Sequence, residues 1–225
     1  MTRKNCEATN WYEYGKKVAL EGRRLSGDDF IQQCYKAEGD VAESALDTGF
    51  KAGMEMYCQP ETVYQTGRDG NFFSRDMCAP QGMSLLLKRH NEGVLAYCLK
   101  SNGFAAGTTG RAYNKICPST MEAAFMPEFN RGRKKFLQTE VYENERQISE
   151  IERETSRLNS DLRIRQIQYV GYQSVKVQPG EPDRASQISS EIYQLQSQIR
   201  ARQNQADNLR ATNKKIRLEM IQLDN

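Results

Sequence analysis

Two stretches carry one pattern: "YCQPETVYQTGRDGNFFSRDMCAP", residues 57–80, and "YCLKSNGFAAGTTGRAYNKICPS", residues 97–119. Tyr64 stands where Phe104 stands, Gly67 where Gly107, Gly70 where Gly110, and Phe73 where Tyr113. Cys58 and Cys98 are 40 positions apart, Cys78 and Cys117 39. A fixed period of this length marks a supersecondary unit that is repeated, because one unit alone cannot bury its apolar face. Each unit reads as an amphipathic helix, with Gly49 and Gly53 or Gly93 on its contact face, ending in Tyr-Cys. A glycine-rich loop with two glycines three apart and a second cysteine follows. The stem recurs in "FNRGRKKFL", residues 129–137, where Gly132 and Phe136 replace Gly93 and Tyr97.

All six cysteines, Cys6, Cys34, Cys58, Cys78, Cys98 and Cys117, fall in the first half of the 225 residues. An even, regularly spaced set confined to one segment reads as a disulfide framework and hence an oxidising compartment. No C-x-x-C is present for a zinc or thioredoxin-type site, so no metal and no cofactor is expected. Six cysteines allow fifteen connectivities. The repeat favours adjacent pairing, Cys58 to Cys78, Cys98 to Cys117 and therefore Cys6 to Cys34, with Cys78 to Cys98 as the competing bridge.

Other chemistry is sparse. The 32 basic and 29 acidic residues nearly cancel, and no basic stripe with interleaved aromatics invites nucleic acid; "RGRKK" at 131–135 reads as a solvated helix face. His90, the one histidine, lies beside Lys88 and Arg89 on a helix stem and reads as a surface or packing residue, not a general base. Asp28-Asp29 reads as a helix-capping pair. "GRDG" and "GTTG" lack the preceding strand and the Lys-Ser/Thr of a phosphate-binding loop. No catalytic residue is therefore assigned, and the chain is read as non-enzymatic. No run approaches the eighteen apolar residues of a membrane span, and "MTRKNCEATN" is not a targeting segment. A lipid anchor upstream of the given residues stays open.

From Leu137 the pattern becomes heptad: Leu137, Val141, Asn144, Ile148, Ile151, Thr155, Leu158, Leu162, Arg165 and Tyr169. It resumes as Ile188, Ile192, Leu195, Ile199, Arg202, Ala206, Leu209, Asn213, Ile216, Met220 and Leu223. Steps of four and three over this length predict an antiparallel coiled coil about 50 Å long at 1.5 Å per residue. If Tyr169 faces Ile188, facing positions sum to 357 and Asn144 meets Asn213. Such a buried amide pair would penalise slipped registers; the alternative is that each asparagine marks an intermolecular seam. The join, about 170–186, contains Gly171, Pro179, Gly180 and Pro182, with Asp183 as a helix cap. Its "YQSVKV" is read as a short strand, a partner contact or a disordered tip.

The order Cys6, Trp11-Tyr12, Gly15, Gly22, Cys34, then Gly49, Gly53, Tyr57-Cys58, then Gly67, Gly70, Phe73 and Cys78 resembles an uncharacterised domain of proteobacterial envelope lipoproteins; Cys117-Pro118 ends the second copy. The resemblance covers about residues 5–140. It implies an exported, disulfide-bonded domain of the cell envelope, and the family has no established activity to transfer. This chain departs from it in carrying an extra Tyr-Cys unit and no lipid-bearing start.

The expectation is thus a mainly α protein: a disulfide-braced, loop-rich repeat head at 1–135, with units near 45–82 and 83–120, and a coiled-coil hairpin at 136–225. Gly53, Gly67, Gly70, Gly93, Gly107, Gly110, Asn144 and Asn213 are assigned structural roles. Tyr169, Tyr172, Val175 and Val177 at the tip, with the repeat loops, are assigned to partner contact. The partners would be other envelope proteins or further copies, in the periplasm or at the outer membrane. The runner-up is a periplasmic holdase chaperone with helical arms; an efflux-type adaptor hairpin lacks its flanking β-domains.

Overall fold

The structure, a computed structural model, describes residues 3–173 and 184–223. Every regular element among them is helical, so the fold is mainly α. It divides into two compact units, Met1–Gly132 and Arg133–Asn225.

In the first unit short helices begin at local signals. Asn10 caps α2 (Trp11–Leu20) by accepting the Glu13 amide, and Asp28 caps α3 (Asp29–Lys36). Pro60 opens α5 (Pro60–Arg68), where its missing N–H is no loss. α1 (Arg3–Glu7), α4 (Glu43–Tyr57), α6 (Met83–Tyr97), α7 (Lys100–Thr108) and the start of α8 (Ser119–Gln173) complete it. This corrects the loop reading of the glycine-rich segments. Pro60–Arg68 and Lys100–Thr108 are helices, and only the stretches after them are irregular.

The glycines that resemble loop signals are contact points. α2 packs on α4 and α5 on α6, with backbone against backbone. A Cβ at Gly49 would stand 2.0 Å from the Tyr12 carbonyl oxygen, and one at Gly53 2.5 Å from that of Lys16. One at Gly67 would stand 2.3 Å from His90 O, and one at Gly93 2.1 Å from Tyr64 O. The arrangement recurs in α7 against α8, where a Cβ at Gly132 would lie 2.1 Å from Phe104 O and 3.1 Å from the Gly107 Cα. The head is therefore three α-hairpins, each stem packing on the helix before it. The packing unit is offset by one helix from the sequence repeat, and the first hairpin, α2 with α4, is a diverged copy interrupted by α3.

Successive hairpins are latched in one way. Gly22 and Gly70 adopt left-handed φ of +67° and +73° after α2 and α5, and Tyr57 and Tyr97 fill the space a side chain there would need. The next hairpin then reaches back to the same glycine: Ser74 Oγ donates to Gly22 O at 2.7 Å, and Asn114 Nδ2 to Gly70 O at 2.8 Å. Gly110 repeats the φ, at +79°. Disulfides Cys6–Cys34, Cys58–Cys78 and Cys98–Cys117 close the segments that carry these contacts. Each of the three apolar clusters of the head contains or flanks one disulfide: Trp11, Ile31 and Leu46 the first; Ala19, Tyr57 and Met77 the second; Val94, Phe125 and Phe129 the third.

In the second unit α8 pairs with α9 (Arg184–Gln222) as an antiparallel coiled coil. All the seam residues named from the heptads are buried or half-buried. Asn144 Nδ2 donates to Asn213 Oδ1 at 2.8 Å, which sets the register that the facing asparagines predict. Glu145–Arg217 and Glu152–Arg210, each at 2.6 Å, bridge the arms along one flank. The seam arginines Arg165 and Arg202 lean out to Glu191 at 3.0 Å and Glu154 at 2.9 Å, keeping their heads in water while their stems cover the seam. The join is narrower than 170–186, because helix extends to Gln173 on one side and resumes at Arg184 on the other. Val175, Val177, Pro179, Gly180, Pro182 and Asp183 lie outside the described residues. No helix among those described is long and apolar enough to cross a membrane.

Two mutational outcomes follow from this packing. Gly93→Ala should destabilise the head by about 2–3 kcal/mol through overpacking. Gly171→Ala, where a Cβ meets no atom within 4 Å, should stabilise the hairpin by about 0.5–1 kcal/mol through helix propensity; urea denaturation of each variant measures both. At the seam, Asn144→Leu should cost about 2 kcal/mol because Asn213 loses its partner. The double variant with Asn213→Leu should recover that loss, as a double-mutant cycle would register.

Candidate functional site

The reactive groups of the described residues are engaged in structural contacts. All six cysteines are in disulfides, so none is a thiol nucleophile. No group of three His, Cys, Asp or Glu among the described residues could hold a metal ion. His90 Nε2 lies 2.9 Å from Asn71 O and its ring centroid 5.9 Å from that of Phe73, which tethers the loop after α5 to α6.

The most perturbed ionisable cluster is structural. Asp28 is buried and accepts the Phe30 and Ile31 amides, each at 3.1 Å, the Tyr14 hydroxyl at 2.7 Å and Arg23 Nη1 at 2.8 Å. Burial pushes its carboxyl up, but the Tyr14 hydroxyl, the Ile31 amide and the Arg23 guanidinium outweigh that, and the net shift is downward. Burial and the bond to Asp28 push the Tyr14 hydroxyl up to about 12. The cluster anchors α3 to α2.

The repeat loops assigned to partner contact converge. The ends of α5 and α7, 40 positions apart in the chain, line one cleft of about 220 Å³ at the junction of the second and third hairpins. Its buried floor is Tyr97 with Ala106; Ala105 and Ala112 stand exposed at its edge with Arg68, Asp69, Asn71, Thr109 and Arg111. Asn102 Nδ2 donates to Tyr97 O at 2.9 Å and Asn114 Nδ2 to Gly70 O at 2.8 Å, so both amides brace the walls. Arg111 stands 3.8 Å from Asp69. Burial holds the Tyr97 phenol above its ordinary range. A concave site with an apolar floor and a polar rim can bind a small ligand; no nucleophile-base pair accompanies it.

The hairpin divides its assigned contact residues. Tyr169 is a half-buried seam residue, whereas Tyr172 is partly exposed and accepts a bond from Arg184 Nη1 at 3.4 Å across the join. The large exposed apolar groups nearby are Ile164, Ile167 and Val170, at 53%, 68% and 65% exposure, on the face of α8 turned away from the seam. Their spacing of three, out of phase with the heptads, is the signal that would have picked them out.

The Asp28 cluster has a pH signature. A carboxyl whose folded value lies below the ordinary 3.8 contributes fully above that value, and its contribution fades as pH falls through the folded one. Asp28→Asn should therefore be less stable than the parent by about 1–3 kcal/mol at neutral pH. The gap should narrow below about pH 4, as urea melts across a pH series would register.

Neither the curated proteins nor the solved structures contain a match to this chain. The family described as a protein of unknown function, DUF2799, matches residues 10–94 and 81–134. The two matches overlap at residues 81–94, over most of α6, the stem of the second hairpin. Together they cover all three hairpins and more than half of the chain, which belongs to the DUF2799 family.

Proposed function

We propose that this chain is a non-enzymatic structural and interaction protein of the bacterial cell envelope, docking onto other envelope proteins or further copies through its hairpin and repeat loops. The observation that carries the reading is the hairpin's division of apolar surface. The seam is consumed internally and locked by Asn144 with Asn213, yet Ile164, Ile167 and Val170 face solvent on the opposite side. A helix that already buries one face and leaves three large aliphatics on the other has a second face for a partner.

The three disulfides support export to an oxidising compartment. Residence in the periplasm or at the outer membrane rests on the resemblance to envelope lipoproteins.

The test places a photo-cross-linking residue at Ile167 and, as a control on the same outer face, at Arg153, in the exported protein. Cross-links from position 167 to one defined envelope protein or to a second copy, with none from 153, are expected. Val170→Asp, on the same face, should abolish cross-linking from position 167 while changing stability by no more than about 0.5 kcal/mol, since the Val170 side chain is exposed. Silence at 167 would remove the reading, and cross-links to many unfolded clients would replace it with a holdase.

A further inference from the structure

We propose that the cleft between the second and third hairpins is a binding site for a small carboxylate ligand. The carboxylate would lie between the guanidinium groups of Arg68 and Arg111, and a short apolar substituent would lie on Tyr97 and the three alanines. This is independent of the hairpin's outer face, which belongs to the other unit and is read out by a different experiment.

The internal repeat supplies the control. At the junction of the first and second hairpins the positions equivalent to Ala105, Ala106 and Ala112 are Gln65, Thr66 and Phe72. The backbone latch is the same at both junctions, Ser74 to Gly22 and Asn114 to Gly70. On this shared frame, the space at the second junction lies against the buried Tyr97 and Ala106, while Ala105 and Ala112, like Gln65 and Phe72, stand exposed. That space, about 220 Å³, holds on the order of seven to ten non-hydrogen atoms, the size of an acylated amino acid and well below a drug-sized pocket.

The rim selects the charge. Two guanidinium groups face a single carboxylate, Asp69. Arg111 approaches Asp69 only to 3.8 Å, beyond hydrogen-bond length, and Arg68 Nη1 makes a long contact of 3.4 Å to the Tyr64 hydroxyl. Each guanidinium carries five donors in a planar fork suited to a carboxylate, so most of that capacity is uncommitted by these contacts. The amides cannot take over the role, because Asn102 and Asn114 donate to Tyr97 O and Gly70 O. A cation would meet one acid already faced by Arg111. Arg68 comes from the second copy and Arg111 from the third, which is why neither copy alone displays a motif.

The test uses the whole disulfide-bonded chain, isotope-labelled for NMR, with N-acetyl-alanine as the probe and its neutral amide as control. The acid should shift the Gly70, Asn102 and Asn114 signals and saturate near 1 mM, roughly, with the amide about tenfold weaker. Arg68→Gln and Arg111→Gln should each weaken binding about tenfold. An acetylated alanine tripeptide with a free or an amidated end separates the sources: binding of the free-ended peptide assigns a chain terminus, and its exclusion assigns a free small acid. Absence of saturation by about 20 mM, equal binding of acid and amide, or full binding by Arg111→Gln would overturn the proposal.

Discussion

At Gly93 an added methyl group would sit 2.1 Å from the Tyr64 carbonyl oxygen, and the same approach recurs at Gly49 over Tyr12 and at Gly132 over Phe104. Backbone contact of this kind needs glycine on the helix face, although glycine within a helix costs about 1 kcal/mol relative to alanine. It also removes the side chains that would otherwise fill the space between helices. The apolar clusters left over are small and separate, and each is completed by a disulfide. The bridges span 28, 20 and 19 residues, loops for which cross-linking contributes on the order of 3 kcal/mol each through the unfolded chain. Glycine contacts and disulfides are thus two parts of one solution: the first allows close approach, and the second offsets the core it forgoes.

The hairpin is held by different means. Its stability comes from a continuous, mainly apolar seam and its register from one buried amide pair, while exposed bridges such as Glu145–Arg217 and Glu152–Arg210 contribute little individually. A matched pair such as Asn144 with Asn213 is satisfied at one alignment only, since sliding either arm would bury a lone amide. The arm is consequently a defined object rather than a sliding pair of helices, which is what presenting an outer apolar face at a fixed position requires. Arg165 and Arg202 interrupt the seam without breaking it because each has a glutamate on the flank to reach.

Repetition makes the cleft possible. Each hairpin returns a polar side chain to the left-handed glycine of the one before, so junctions share a frame while their lining residues are free to differ. At the junction of the second and third hairpins a concavity lies over Tyr97 and Ala106, with cations from two copies on its rim. The same latch that adds a hairpin also sets the walls of the cleft.

Much of this was legible in the residues. The heptads at 137–169 and 188–223 set the coiled coil because a period of 3.5 is a local property of one chain segment. The two asparagines set its register because a buried amide has few possible partners. The 40-residue period and the even set of cysteines established a repeat braced by disulfides. The letters could not distinguish a glycine that bends a loop from one that admits a neighbouring backbone, so Pro60–Arg68 and Lys100–Thr108 read as loops. That distinction lies in the partner, which is distant in sequence. For the same reason only the tertiary structure decided which helix each stem packs on, showed α2 with α4 as the first copy, and joined Arg68 to Arg111 across one cleft.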